Sequence, residues 1–423
     1  MSKTDQPWYW GWRWVTVAYL SSRLVLFLLL VAIPTLTADP GSPHLENPWF
    51  SLTDWDGEWY QSIVEQGYRY APDGQQHNVA FFPLFPLLVR GIMAIGLPFP
   101  VAALVLSNLC FGAVLLRLFH WMARTQNEAV ARWTVLFLAW CPWSYYSSIA
   151  YTESLFLWVT LSALIAFEQK DYGGAALWGV LASATRLPGI VLVPTFGLLT
   201  WLQGRSPLGY LAAGASSLGA VAYSLYCGWK FGDPLAFIAV QGAWEAKPDF
   251  LGQNWWQLLL KVIFGRPNVE AGLWEAGGLA DPFYPVLLLV LLGLGGGLWW
   301  TRQRWPRAVV EGGAGVLLIA LWLVTGDDGL ALVLLLGSGG LLWAVRNQFN
   351  PTALLYSCFA LLLLLAAGRT ISFSRYVYGI VTLTPALALL LHRSPRLAAF
   401  TLGFFVLLLI THGLRFGQGF WVA

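Results

Sequence analysis

Three carboxylates fall within five residues at Asp54-Trp55-Asp56-Gly57-Glu58. A carboxylate held beside a reacting hydroxyl takes its proton as a general base, and Gly57 lets the backbone approach a ligand closely. The same string also suits a solvated acidic turn or a calcium or magnesium site. His77-Asn78 follows, just before the apolar run Val79-Ala80-Phe81-Phe82-Pro83. An imidazole there can bind a phosphate or a sugar hydroxyl, or serve as a structural donor. Glu153, in Tyr151-Thr152-Glu153-Ser154, opens another apolar run. It reads either as first-turn acid behind a Thr152 cap or as a group reaching a membrane-embedded cavity. Arg186 lies in Ala184-Thr185-Arg186-Leu187-Pro188-Gly189, inside an otherwise apolar stretch. The proline and glycine predict a broken helix opening to a cavity. A guanidinium there suits bidentate phosphate binding, with snorkelling to the interface as the rival. Arg369 and Arg375 flank a short polar connector and read as a lipid-phosphate site or a cytoplasmic anchor.

The elements that must hold these residues are membrane helices. Of 423 residues 57% are hydrophobic and 11% charged, and 45 charges are too few to wet a soluble protein of this length. Runs such as Leu24–Ile33, Pro285–Leu298 and Leu354–Ala367, with their flanks, suffice to cross about 30 Å of hydrocarbon. The pattern predicts an all-α polytopic membrane protein of about eleven to fourteen spans, near 13–34, 79–97, 100–119, 133–150, 153–168, 172–200, 208–229, 283–300, 308–325, 329–345, 352–368, 375–391 and 396–413. The first run is too long for a signal-peptide core and reads as a retained helix. Loop 37–77 holds seven of the 21 acidic residues and one basic residue, Arg69. Lys3 and Arg13 precede the first span, so the positive-inside rule puts the loop outside. Two full spans at 79–97 and 100–119 would then put Arg124 and Arg132 outside too. A partial span at 81–97, interrupted by Pro83 and Pro86, removes that conflict. Segment 230–281 reads as a second outer connection. The four cysteines sit in apolar runs without metal or disulfide spacing. No Gly-rich phosphate loop, HExxH or Cys/His cluster is present, which argues against an ATP-driven pump, a zinc protease and a redox carrier.

Trp55-Asp56-Gly57-Glu58, Gly67-Tyr68 and His77 through Pro86 resemble, in order, the WD-x-E, GY and AFFP-x-FP elements of the PIG-V mannosyltransferases. Cys141-Pro142-Trp143-Ser144, Tyr151 through Phe156 and Ala184 through Gly189 continue the resemblance, which is good from about 50 to 195 and faint through Ser374-Arg375-Tyr376. It implies a GT-C glycosyltransferase fold carrying its active-site acid on the first extracytoplasmic loop. It also implies inverting transfer of mannose from a polyprenyl-phosphate donor, with no cofactor or metal. Asp56 matches the family's aspartate and is the expected base. Asp54 stands where eukaryotic members carry a basic residue, and Pro188 replaces a polar position. Glu58 and Glu153 are expected to orient the sugar or the basic residues. His77, Asn78, Arg186, Arg369, Arg375 and Trp55 are expected on the substrate and its phosphate.

The expected organisation is one transmembrane domain over 1–423, with a core at 1–230 around catalytic loop 37–77 and a variable helical module at 231–423. The acceptor is a lipid, glycan or protein, an accessory membrane subunit is allowed for, and nucleic acid is not expected. A bacterial plasma membrane is the expected location, or the endoplasmic reticulum in a eukaryote. A transporter or flippase, and a non-catalytic subunit of a lipid-modifying complex, are the rival readings. Against the transporter, no internal repeat relates two halves and the acids cluster outside the midplane.

Overall fold

Apolar runs become helices whose ends follow local chemistry. The computed structural model describes residues 9–39, 46–47, 49–244, 252–272, 279–368, 370 and 372–422. In chain order the helices used below are α1 (Tyr9–Phe27), α2 (Asp56–Gln66), α3 (Leu84–Met93), α4 (Phe99–Thr125), α5 (Glu128–Ala139), α6 (Glu153–Glu168), α7 (Tyr172–Thr185), α8 (Leu192–Leu202), α9 (Leu208–Ala215), α10 (Leu218–Phe231), α11 (Gln253–Phe264), α12 (Phe283–Thr301), α13 (Arg307–Val345), α14 (Pro351–Ala367), α15 (Phe373–Tyr378), α16 (Leu383–Leu391) and α17 (Pro395–Gly417). Asn127 caps α5 by accepting the Val130 N–H. Asn350 caps α14 through the N–H groups of Thr352 and Ala353, with Pro351 at the first helical position.

Among the described residues six helical stretches are long and apolar enough to cross a bilayer: Gly11–Leu36, α4, α9 with α10, α12, α13 and α17. The chain is an integral membrane protein. Several expected spans take another form. The run at 79–97 becomes α3, ten residues long and so about 15 Å, half a bilayer. The following α4, at 27 residues, reaches about 40 Å and carries the crossing alone. The run at 172–200 is broken between α7 and α8, and that at 375–391 between α15 and α16. The runs at 308–325 and 329–345 meet head to tail in α13, interrupted at Gly326 (φ 59°, ψ −148°).

Two ends of the bundle can be told apart by their contacts. At one, Gln126 donates to the Gln348 carbonyl, Asn350 and Trp121 donate to Glu168, and Arg205 donates to the Phe167 carbonyl. At the other, Ser51 donates to the Gly417 carbonyl and the Ala150 N–H to the Leu52 carbonyl. One continuous apolar core runs from Val15 to Val422. Within it α4 packs on α5 and α6, α6 on α7, α5 on α16, and α8 on α14. Residues from both halves of the sequence therefore face each other at the end that carries loop 37–77.

Candidate active site

The acidic string forms a helix start. Trp55 takes a left-handed conformation (φ 57°, ψ −116°), which costs a bulky residue on the order of 1–3 kcal/mol. That turn sends the chain into α2, with Asp56 and Glu58 in its first turn, where the helix dipole favours negative charge. Asp56 is further held by its backbone N–H, which donates to the Tyr151 hydroxyl at 3.2 Å. Glu58 stays exposed on α2. Partial burial, then the neighbouring Asp54 carboxylate, raises its pKa above the usual glutamate value.

Glu153 opens α6 and is 0% exposed. Thr152 does not cap that helix through its side chain. Its hydroxyl instead lies 3.4 Å from both Tyr60 Oη and Arg186 Nη1, so the capping reading is replaced by a place in the site. Arg186 ends α7 in an extended conformation (φ −155°, ψ 146°), which turns its side chain off the helix axis. The 3₁₀ turn Leu187–Val191 then folds back on α7, so closely that a Cβ on Gly189 would sit 2.4 Å from the Ala182 backbone. A side chain at that position cannot be accommodated without moving backbone. The break predicted at Pro188-Gly189 is present.

Arg375 arrives from α15, 222 residues beyond Glu153, and is 5% exposed. Its Nη1 donates to Asp56 Oδ2 at 2.5 Å, and its Nε donates to Glu153 Oε1. Arg186 Nη1 donates to the same Glu153 oxygen. Arg375 also lies over the rings of Tyr151 and Tyr146, 4.4 and 5.0 Å from their centroids, a cation–π geometry. Asp56, Glu153, Arg186 and Arg375 therefore form a neutral quartet, the balance that buried charges require. Glu153 Oε2 is buried with no hydrogen-bond partner among the described residues, an acceptor with capacity for a ligand hydroxyl.

Other expected site residues stand apart from the quartet. His77 Nε2 pairs with Asp73 Oδ1 at 2.7 Å. Asn78 is buried in a staple: its Oδ1 accepts from the Arg69 N–H, while Nδ2 donates to Ser62 Oγ and to the Gly67 carbonyl. Its amide shapes the outer loop instead of lining the quartet. Arg369 lies outside the described residues. Trp55 adjoins Asp56 directly.

Sequence reasoning missed Arg23, a lone arginine in an apolar run, the same signal that pointed to Arg186. It is half-buried in α1 and donates to the Ala139 and Ser144 carbonyls and to Ser148 Oγ, at 3.0, 3.1 and 2.8 Å. This ties α1 to the connector carrying Tyr145, Tyr146 and Tyr151. Those tyrosines had no distinguishing pattern in an aromatic-rich chain. A cavity of about 510 Å³ lies between α2, α3, α7 and α10, lined by Ile63, Val64, Tyr68, Arg90, Ala184 and Tyr223 among others and by none of the quartet. It is mostly apolar, and Ile63 and Ala184 share helices with Asp56 and Arg186.

Three of the four quartet residues fall in one matched stretch: residues 16–200 match the family described as Mannosyltransferase (PIG-V). This segment is similar to the PIG-V family. The match covers less than half of the chain and excludes Arg375. The chain is 29% identical over 217 residues to GPI alpha-1,6-mannosyltransferase 2 of Cricetulus griseus, covering 46% of this chain and 42% of that protein. To GPI mannosyltransferase 2 of Schizosaccharomyces pombe it is 23% identical over 250 residues, covering 55% and 48%. The matched stretches therefore span about half the length of these PIG-V relatives. Two solved structures are similar at lower identity. The Archaeoglobus fulgidus oligosaccharyltransferase AglB, in complex with an inhibitory peptide and a dolichol-phosphate, gives a TM-score of 0.47 at 13% identity, covering 97% of this chain and 56% of that one. ArnT from Cupriavidus metallidurans, bound to undecaprenyl phosphate, gives 0.41 at 15%, covering 96% and 78%.

Proposed function

We propose that the chain is a GT-C mannosyltransferase that moves a sugar from a polyprenyl-phosphate donor to an acceptor hydroxyl, with inversion, on the extracytoplasmic face. The observation that carries this reading is the quartet, two carboxylates sharing two arginines at the end of the bundle that bears the outer loop. Its three N-terminal members lie in the matched PIG-V segment. In this reading the acceptor oxygen attacks the anomeric carbon while Asp56 takes its proton. The bond from that carbon to the phosphate oxygen breaks, and its electron pair leaves with the polyprenyl phosphate. Arg186 and Arg375 meet the charge that develops on the phosphate, as preorganised donors do at an oxyanion, and no metal is required. Glu153 holds the two guanidinium groups together and takes a sugar hydroxyl on Oε2. The apolar cavity beside α2 and α7 accommodates isoprenoid or acyl chain.

The test uses the purified chain in nanodiscs with radiolabelled polyprenyl-phosphate mannose and a membrane lipid extract, comparing wild type with Asp56→Asn. Transfer by wild type alone supports both the reaction class and the base, and mobility of the product identifies the acceptor. An active Asp56→Asn enzyme removes Asp56 as base. No transfer and no saturable donor binding by wild type moves the reading to a transporter or an accessory subunit.

A further inference from the structure

The strained Trp55 has a partner from the far end of the sequence. Its ring centroid lies 4.9 Å from that of Trp421, at an interplanar angle of 58°. Trp421 is anchored from behind, because the carbonyl of the adjacent Val422 accepts from the hydroxyls of Tyr145 and Tyr146 at 2.9 and 2.6 Å. Tyr146 is also one of the two rings beneath Arg375. The indole pair is therefore built on the same tyrosine wall that positions the guanidinium, directly before Asp56. Trp55 remains 36% exposed, and the tilt leaves each indole a face the other does not cover. Ordinary interfacial tryptophans in this chain look different. Trp299, 68% exposed, carries the guanidinium of Arg302 at 3.8 Å, as expected at a membrane–water boundary.

We propose that Trp55 and Trp421 form a pyranose-stacking subsite, the apolar C–H face of a sugar ring lying on the indoles while its hydroxyls turn towards the quartet. Indole suits stacking of this kind because it offers a large, rigid apolar face with a negative quadrupole toward polarised C–H groups. Enforced strain at Trp55 is in keeping with a residue held for a ligand. The inference rests on the glycosyl-transfer reading and adds to it Trp421, which lies outside the matched PIG-V segment. The sugar belongs either to the donor or to the acceptor, and the two sources separate experimentally.

The full chain in nanodiscs is titrated with polyprenyl-phosphate mannose and with bare polyprenyl phosphate. Octyl α-D-mannopyranoside is followed in parallel by saturation-transfer NMR. Trp421→Leu keeps apolar bulk without a π face, Trp421→Tyr restores a face, and Trp299→Ala is the control. If the donor sugar stacks, Trp421→Leu weakens polyprenyl-phosphate mannose about tenfold, at the level of one aromatic contact, and leaves the bare phosphate unchanged. If the acceptor sugar stacks, both donor titrations are unchanged and the ring-proton saturation of octyl mannoside is lost. In either case Trp421→Tyr recovers most of the effect and Trp299→Ala has none. The inference is overturned if Trp421→Leu binds all three probes as wild type does, or if Trp421→Tyr is as impaired as Trp421→Leu. Failure of the transferase reading looks different, since wild type then binds neither polyprenyl probe.

Discussion

Residues 99–202 and residues 283–345 are both built of long apolar helices, yet they meet their surroundings differently. In α4, 44% of the most apolar stretch is buried within the protein, against 11% in α12 and 6% in α13. Helix α6 is buried on nearly every side, and Ser154, Thr160 and Ser162 are all fully enclosed. Helix α12 shows Phe283, Leu289, Leu294 and Trp300 to the outside. Overall apolarity does not separate the two regions, because lipid and protein interior are about equally apolar. What separates them is the placement of polar groups: α4–α8 enclose hydroxyls and end in charged residues that need one another, whereas the stretch Pro285–Leu298 of α12 carries no polar side chain to satisfy. A membrane helix with buried hydroxyls marks protein on that side, and here that region also positions the quartet.

The contrast can be tested by matched substitutions. The largest effect is expected from Glu153→Ala, which leaves two guanidinium groups without their shared carboxylate. Breaking a buried pair from one side costs about 3–5 kcal/mol. Leu289→Ala, on the exposed face of α12, is expected within about 0.5 kcal/mol of wild type. Denaturation in detergent, read by loss of near-ultraviolet circular dichroism, measures both, and equal losses would break the comparison. Asp56→Asn is next, with transfer reduced more than about a hundredfold and a smaller loss of stability than Glu153→Ala, because the amide oxygen still accepts from Arg375. Glycines sharpen the contrast further. A Cβ on Gly219 would sit 2.2 Å from the Val180 carbonyl, where α10 crosses α7, whereas Gly295 in α12 has nothing within 4 Å. Gly219→Ala is expected to lose about 1–3 kcal/mol, and Gly295→Ala to gain up to about 1 kcal/mol of helix propensity, both from the same denaturation series.

The smallest effect concerns the outer loop. Asp73 accepts from the Gln75 N–H and pairs with His77, which together lower its pKa below the usual aspartate value. A depressed carboxylate stabilises the fold above its unfolded-state pKa, and that contribution fades as pH falls through the folded value. Protection of residues 73–78 against hydrogen exchange, taken relative to the intrinsic rate at each pH, is therefore expected to fall below about pH 4 in wild type. In Asp73→Asn that protection should already be low at neutral pH, with no further loss on acidification. A wild-type loop indifferent to acid would count against the Asp73–His77 anchor.

Much of this was legible in the residues. The Pro188-Gly189 break, the acid at Glu153 and the base candidate Asp56 all announce themselves, because a charge or a helix breaker inside an apolar run is costly and needs a reason. Asn78 was expected on the substrate, and the structure gives its amide to the loop: a polar residue at a re-entry point looks the same whether it binds a ligand or staples a loop. Arg23 was overlooked although it sends the signal that singled out Arg186. The conversion of an expected span into the short α3 follows from Pro83 and Pro86, visible as breakers but not as to where the chain goes next.

By itself, the sequence determined that the chain lives in a membrane, which residues are too costly to lie in lipid unpaired, and where the helices break. These are local consequences of solvation and backbone sterics. Only the tertiary structure decided that Arg375 joins Asp56 and Glu153, and that Trp421 meets Trp55. Those pairings span more than two hundred residues and depend on how helices pack. An arginine in a short connector carries no mark of the carboxylate it will reach, since many partners satisfy the same charge and the bundle selects one.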